Sequence, residues 1–252
     1  MKSIKLFGLL LLSFIAKAQT EKNVDQQSLL WTRYSNQLII NNHWSIHSEF
    51  DNRVFINPTE ENLFLLRMQG RYKINSNIDI GAGYAYFSVA TQDPNNPRDF
   101  QTPEHRVQQD IGWKQDLNSS IILHQRFQIE ERFIHNSNNE ELLPGSTFTW
   151  RFRYRLQGEF SCWNKEAQHL TAVVYDELMI NAGENIVKNT FDQNRIYAAL
   201  RYGVNSNIAF ELGYLKSFQQ RASGVDYYDR DIIRFTFYHK INLKGKHAEP
   251  TK

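Results

Sequence analysis

Cysteine, proline and methionine are scarce in this chain, and no long apolar run follows its first twenty residues. One cysteine, Cys162, cannot form an internal disulfide, which excludes the stapled framework of small exported domains. No later stretch approaches the roughly 18 consecutive apolar residues of a spanning helix, which excludes a helical membrane protein. Charge of either sign is not in large excess: the formal net charge of the 252 residues is +2. No segment has a convincing helical period, and the eight histidines are scattered rather than clustered as metal ligands.

The opening, "MKSIKLFGLLLLSFIAKAQT", reads as a secretory signal peptide. Lys2 and Lys5 are its basic end, Leu6 to Ile15 its apolar core, and Ala16-Lys17-Ala18 its cleavage site. The remaining 234 residues carry −1, since the first 18 remove three lysines and no acids. Nothing in that balance points to nucleic acid.

What is abundant is aromatic: Phe, Trp and Tyr make up 13% of the chain. They fall at every second position. In "TFTWRFRYRLQGEF", residues 147–160, Phe148, Trp150, Phe152 and Tyr154 share one face of a strand. Arg151, Arg153 and Arg155 share the other. "NLFLLRMQGRYKI" likewise sets Phe64, Leu66 and Met68 against Arg67, Gln69 and Arg71. Eleven such runs are readable, near 30–40, 44–55, 63–74, 78–90, 105–116, 120–134, 147–160, 169–180, 194–204, 208–219 and 231–242.

Tight Asn- and Ser-containing turns at 41–43, 75–77, 116–119 and 205–207 alternate with longer polar loops at 56–62, 91–104, 135–146, 181–193 and 220–230. The 161–168 connection is intermediate. Loops sorted by length to opposite ends are the outer-membrane barrel pattern. Folding about the turns puts Arg33 opposite Asp51, Lys73 opposite Asp79 and Arg201 opposite Glu211, with Asp110 beside Arg126.

The expected fold is therefore all-β: a closed antiparallel up-and-down transmembrane barrel over 30–243. A segment 19–29 precedes it and a polar tail, 244–252, follows. Bacterial single-chain barrels have even strand counts, so twelve strands are expected, with a twelfth within 20–29, or ten as the alternative. The competing soluble barrel would turn the apolar face inward, but many runs are 12 to 14 residues, well beyond the usual five or six or so. In the membrane reading Phe148, Trp150, Phe152 and Tyr154 face lipid. The lumen holds a charge ladder of Glu130, Arg151, Arg153, Glu177 and Arg195. Arg126, Arg132 and Arg155 surround it, and the Arg201–Glu211 pair lies on the same face.

Several segments resemble the bacterial domain-of-unknown-function family numbered 2490. They are "QIEERF" (128–133), "RFRYRL" (151–156), "YDELMIN" (175–181), "FDQNRIYAALRY" (191–202) and "ELGYL" (211–215). The resemblance implies an outer-membrane β-barrel of a Gram-negative bacterium and implies no reaction, ligand or catalytic residue.

Searching for chemistry gives little. Ser45, His47 and Glu49 lie on one strand face, with successive Cα atoms roughly 6.5–7 Å apart, too far for a triad. Asp93, Asp99, His105 and His135 sit in or beside loops. The expected role is a structural barrel or small passive pore with an Arg/Glu-lined lumen, without catalytic residue, metal or cofactor. The expected partners are outer-membrane lipid, the barrel-insertion machinery and small polar solutes. The alternatives are an outer-membrane enzyme (a lipid hydrolase, acyltransferase or omptin-like protease) and a surface binding or assembly protein.

Overall fold

The computed structural model describes residues 22–243, apart from Asn139 and Val187. The expected signal peptide, 1–18, and the expected tail, 244–252, lie outside the described residues. Eleven strands follow one another: β1 (Val24–Ile39), β2 (Trp44–Phe55), β3 (Glu61–Lys73), β4 (Ile78–Val89), β5 (Thr102–Asp116), β6 (Ile121–Ser137), β7 (Leu142–Lys165), β8 (Gln168–Ala182), β9 (Phe191–Gly203), β10 (Ile208–Gln220) and β11 (Tyr227–Asn242). Each pairs antiparallel with its neighbour in sequence, and β1 meets β11 to close the barrel.

Eleven strands replace the expected twelve or ten. In an up-and-down chain with an odd number of strands, the first and last run the same way. The β1–β11 seam is accordingly parallel, in register from Val24 opposite Tyr227 to Ile39 opposite Asn242. A parallel ladder satisfies backbone groups along the whole seam, so no further strand is needed to remove the edge. Residues 24–29 are the start of β1, neither a twelfth strand nor a segment outside the barrel.

The tight turns share one device. Asn41 Oδ1 accepts from the amides of His43 and Trp44 at 2.8 Å, and Asn75 Oδ1 from those of Asn77 and Ile78 at 2.8 Å. Asn205 does the same for Asn207 and Ile208. An asparagine side chain that mimics a turn carbonyl fixes where each hairpin reverses, and so fixes register. Arg33 is thereby opposite Asp51, Lys73 opposite Asp79, and Arg201 opposite Glu211. The same device acts at Asn138, which accepts from Glu140 and Glu141. It shortens the expected 135–146 loop to a tight hairpin between β6 and β7. The 161–168 connection shrinks to a turn at Glu166, whose φ is 54°.

Alternation decides the two faces. Leu66, Met68, Leu178, Ile196, Leu200 and Leu212 point outward and are exposed, while Asp51, Glu130, Arg153, Glu177, Glu211 and Arg234 point inward and are buried. The usual distribution of a soluble protein is inverted. Outward aromatics run the full height of the wall, with Phe50, Tyr84, Phe127, Tyr154, Tyr214 and Phe235 near mid-strand. Trp44, Tyr72, Trp113, Phe160, Trp163 and Phe210 lie in the half nearer the tight turns. Tyr86, Phe133, Phe148, Trp150, Phe191 and Phe218 lie in the half nearer the longer connections.

The "GAGY" glycines mark a close backbone approach. A Cβ on Gly83 would stand 2.3 Å from the Met68 carbonyl oxygen and 2.6 Å from Gln69 Cα. Neither atom can swing aside without parting β3 from β4. Gly83→Ala is therefore expected to destabilise the barrel by several kcal/mol, of the order of ~3. The check is the guanidinium midpoint of refolded protein, and a midpoint equal to wild type would refute the close approach.

Candidate functional site

The interior holds a cavity of about 780 Å³, with walls supplied by all eleven strands. Sixteen arginines and Lys114 line it, against five carboxylates: Glu49, Asp79, Glu104, Glu177 and Glu211. Further acids (Asp51, Asp110, Glu130, Glu159 and Asp192) pair with these arginines from within the wall. They are too few to balance it.

The ladder residues meet on β6, β7, β8 and β9. Glu130 accepts from Arg153 at 2.6 Å and from Arg106 at 3.1 Å, with Arg151 at 3.8 Å. Glu177 receives Arg153 at 2.9 Å and Arg126 at 2.8 Å, with Arg195 at 4.0 Å. Arg153 thus bridges two fully buried carboxylates. Arg151 reaches on to Asp192 at 2.9 Å, and Arg132 holds Glu104 at 2.5 Å. Arg201 and Glu211 pair at 2.9 Å, away from the first group. Asp110 is not beside Arg126: it lies opposite Gln128, and its carboxylate meets Gln69 and Arg71 on the other side. The hairpin turns about Ser119, one residue later than assumed, and this shifts each partner by two. Phe148, Trp150, Phe152 and Tyr154 stand on the outer face, where Phe148 packs edge-on to Trp150 at 5.3 Å.

Sequence reasoning missed the aromatic half of the interior. Trp31, Phe55, Tyr175 and Tyr197 form a buried cluster with Leu29, Leu215 and Ile232 on the inward side. Guanidinium groups lie over these rings: Arg53 on Trp31 at 3.8 Å, Arg234 on Tyr197 at 3.8 Å, and Arg106 on Phe87 at 3.6 Å. Arginine tolerates this because its planar cation is weakly hydrated and stacks well. Arg234 also donates to Tyr175 Oη at 3.1 Å and Glu211 at 3.0 Å. The signal was available in the "RDIIRF" spacing, which puts Arg230 and Arg234 on one face.

At the rim with the longer connections, the β4–β5 segment folds over the opening. Gln27 donates to the Gln92 carbonyl at 2.9 Å, and Arg230 donates to the Gln92 side chain at 2.9 Å. Arg98 braces the segment by donating to the Ala90 carbonyl at 2.9 Å. At the other rim a smaller cavity of about 300 Å³ shares Ser35, His47, Arg201 and Tyr238 with the large one.

Among the described residues, two side chains singled out for catalysis, Glu49 and His105, are engaged elsewhere. Glu49 is held by Arg67 at 2.8 Å, and His105 bonds to Tyr84 on the outer face. Among the described residues, no group of three or more His, Cys, Asp or Glu side chains could hold a metal ion.

A family described as "Protein of unknown function (DUF2490)" matches residues 29–228. The chain belongs to this family. Its match takes in the cavity walls from β1 to the start of β11. No curated protein matches the chain. Two solved structures are similar to this DUF2490 barrel. The NanC porin, in a rhombohedral crystal form, has a TM-score of 0.51 at 11% identity, covering 83% of this chain and 91% of that one. The β-domain of the Bordetella autotransporter BrkA has a TM-score of 0.47 at 8% identity, covering 78% and 82%. The NanC likeness, at so low an identity, is one of fold.

Proposed function

We propose that this DUF2490 protein is an outer-membrane barrel that acts as a narrow passive pore for small polar solutes. One observation carries the reading: a cavity of about 780 Å³ has walls reaching from Gln92 and Arg98 near one rim to Lys114 and Arg201 near the other. Eight-stranded barrels are filled by their side chains and the large porins leave an aqueous channel; this barrel of eleven strands keeps a cavity of about 780 Å³. Here charged side chains line the cavity beside the aromatic cluster around Trp31, and exposed apolar residues cover the outer wall, which suits lipid around the wall and water within it.

The test is single-channel recording of the refolded mature protein in a planar bilayer. Discrete steps are expected. The Gln27→Ala/Gln92→Ala double variant removes both the donor to the Gln92 carbonyl and the side-chain acceptor of Arg230, the bonds that hold the β4–β5 segment across the rim, so larger steps are expected from it. A folded, heat-modifiable protein without conductance in either form would overturn the pore.

A further inference from the structure

Following one rung of backbone pairing across β6, β7, β8 and β9 gives Arg126, Arg155, Glu177 and Arg195, each directly opposite the next. Four neighbouring strands thus present three cations and one anion at one level. Like charges directly opposite each other are destabilising, and Arg126 opposite Arg155 is such a pair. The lone carboxylate does not settle it. Glu177 is shared by Arg126, Arg195 and, from the next rung, Arg153.

Arg155, although opposite Glu177, forms no ion pair with it and rests over the Tyr175 ring at 5.3 Å. The Nε–H groups of Arg126, Arg153 and Arg195 are buried and meet no acceptor among the described residues. The rung ends in small residues. Gly112 lies opposite Arg126, and Ser217 opposite Arg195. The Asp79 carboxylate lies beside Gly112, and Ser217 is buried and accepts from Gln193. All of the arginines line the cavity.

A buried guanidinium needs an acceptor, and an uncompensated cluster of them is costly. From this rung we infer an anion-binding site in the lumen, formed by Arg126, Arg155 and Arg195 around Glu177. It takes small solutes bearing a phosphate-like or multiply charged carboxylate group. Guanidinium forks match such oxygens two at a time. Glu177 orients Arg126 and Arg195 by occupying one side of each, while Arg155 stands outside any ion pair with it and keeps its donors for the solute. The inference builds on the pore reading, in which the same rung lies on the solute's path.

The probe is inorganic phosphate, titrated calorimetrically at low chloride into the refolded full-length mature barrel in detergent, with 31P line broadening as a second readout. Saturable binding is expected. Arg155→Gln removes a charge that has no ion-pair partner among the described residues, so it is expected to fold and to weaken phosphate at least about tenfold, the loss of one charge-assisted hydrogen bond. Lys165→Gln, at the exposed end of β7, controls for loss of a positive charge elsewhere and is expected to match wild type. No saturable binding by wild type, or equal affinity in Arg155→Gln, would overturn the site. Bilayer recording separates the two readings. Phosphate binding without conductance would sink the pore and leave the site. Conductance without phosphate binding would sink the site and leave the pore.

Discussion

Replacing Glu177 by glutamine is expected to destabilise the barrel by about 3–5 kcal/mol, the cost of stripping the partner from a buried charge cluster. The residue is fully buried, and three guanidinium groups converge on it from β6, β7 and β9. Glutamine keeps the shape and one acceptor oxygen but removes the only negative charge on a rung of arginines. Guanidinium unfolding in detergent reads the effect. Glu159→Gln is the comparison: Glu159 sits nearer the rim, and its partner Arg201 retains Glu211. Its loss should cost well below 1 kcal/mol or so. A Glu177→Gln midpoint matching that of Glu159→Gln would mean that the rung tolerates its own repulsion. If the rung binds anions, added phosphate should raise the Glu177→Gln midpoint more than that of wild type.

The second large effect lies on the opposite face. Leu212 stands outward near the middle of β10, paired with Leu200 on β9 and Phe235 on β11, and is mostly exposed. Leu212→Arg is expected to cost about 2–4 kcal/mol when the protein folds into lipid vesicles, the penalty for a cation at the bilayer midplane. In detergent micelles, where the head group finds water easily, the cost should shrink. Equal stability of the variant and wild type in vesicles would place this band outside the hydrocarbon and defeat the membrane reading.

Much of the architecture is readable from alternation alone. Phe148 to Arg155 states which side of β7 is greasy, and three asparagine turns state where hairpins reverse, so Arg33, Arg201 and their partners can be placed before any coordinates exist. What alternation does not encode is closure. Whether the last strand meets the first in parallel depends on strand parity, which no local pattern carries. Bulges are similarly silent: the shift between Met179 and Ile180 lets Asp192 turn inward to Arg151. The cavity's chemistry was only half readable. Arg151, Arg153 and Glu130 advertise themselves by charge. Trp31 and Tyr197 look like outward aromatics until the register puts them under arginines. Contacts that skip a strand, such as Arg126 to Glu177, depend on side-chain reach that neighbour pairing does not give.

The parallel seam also settles handedness of access to the two chain ends. β1 begins at the rim with the longer connections, whereas β11 finishes at the rim with the tight Asn turns. A reporter joined ahead of β1 and another joined behind β11 would therefore emerge in different compartments of a bilayer-embedded barrel. An even-stranded barrel would have delivered both to the same side. Protease protection of paired terminal tags thus counts strands modulo two in living cells, with no need to see the sheet itself.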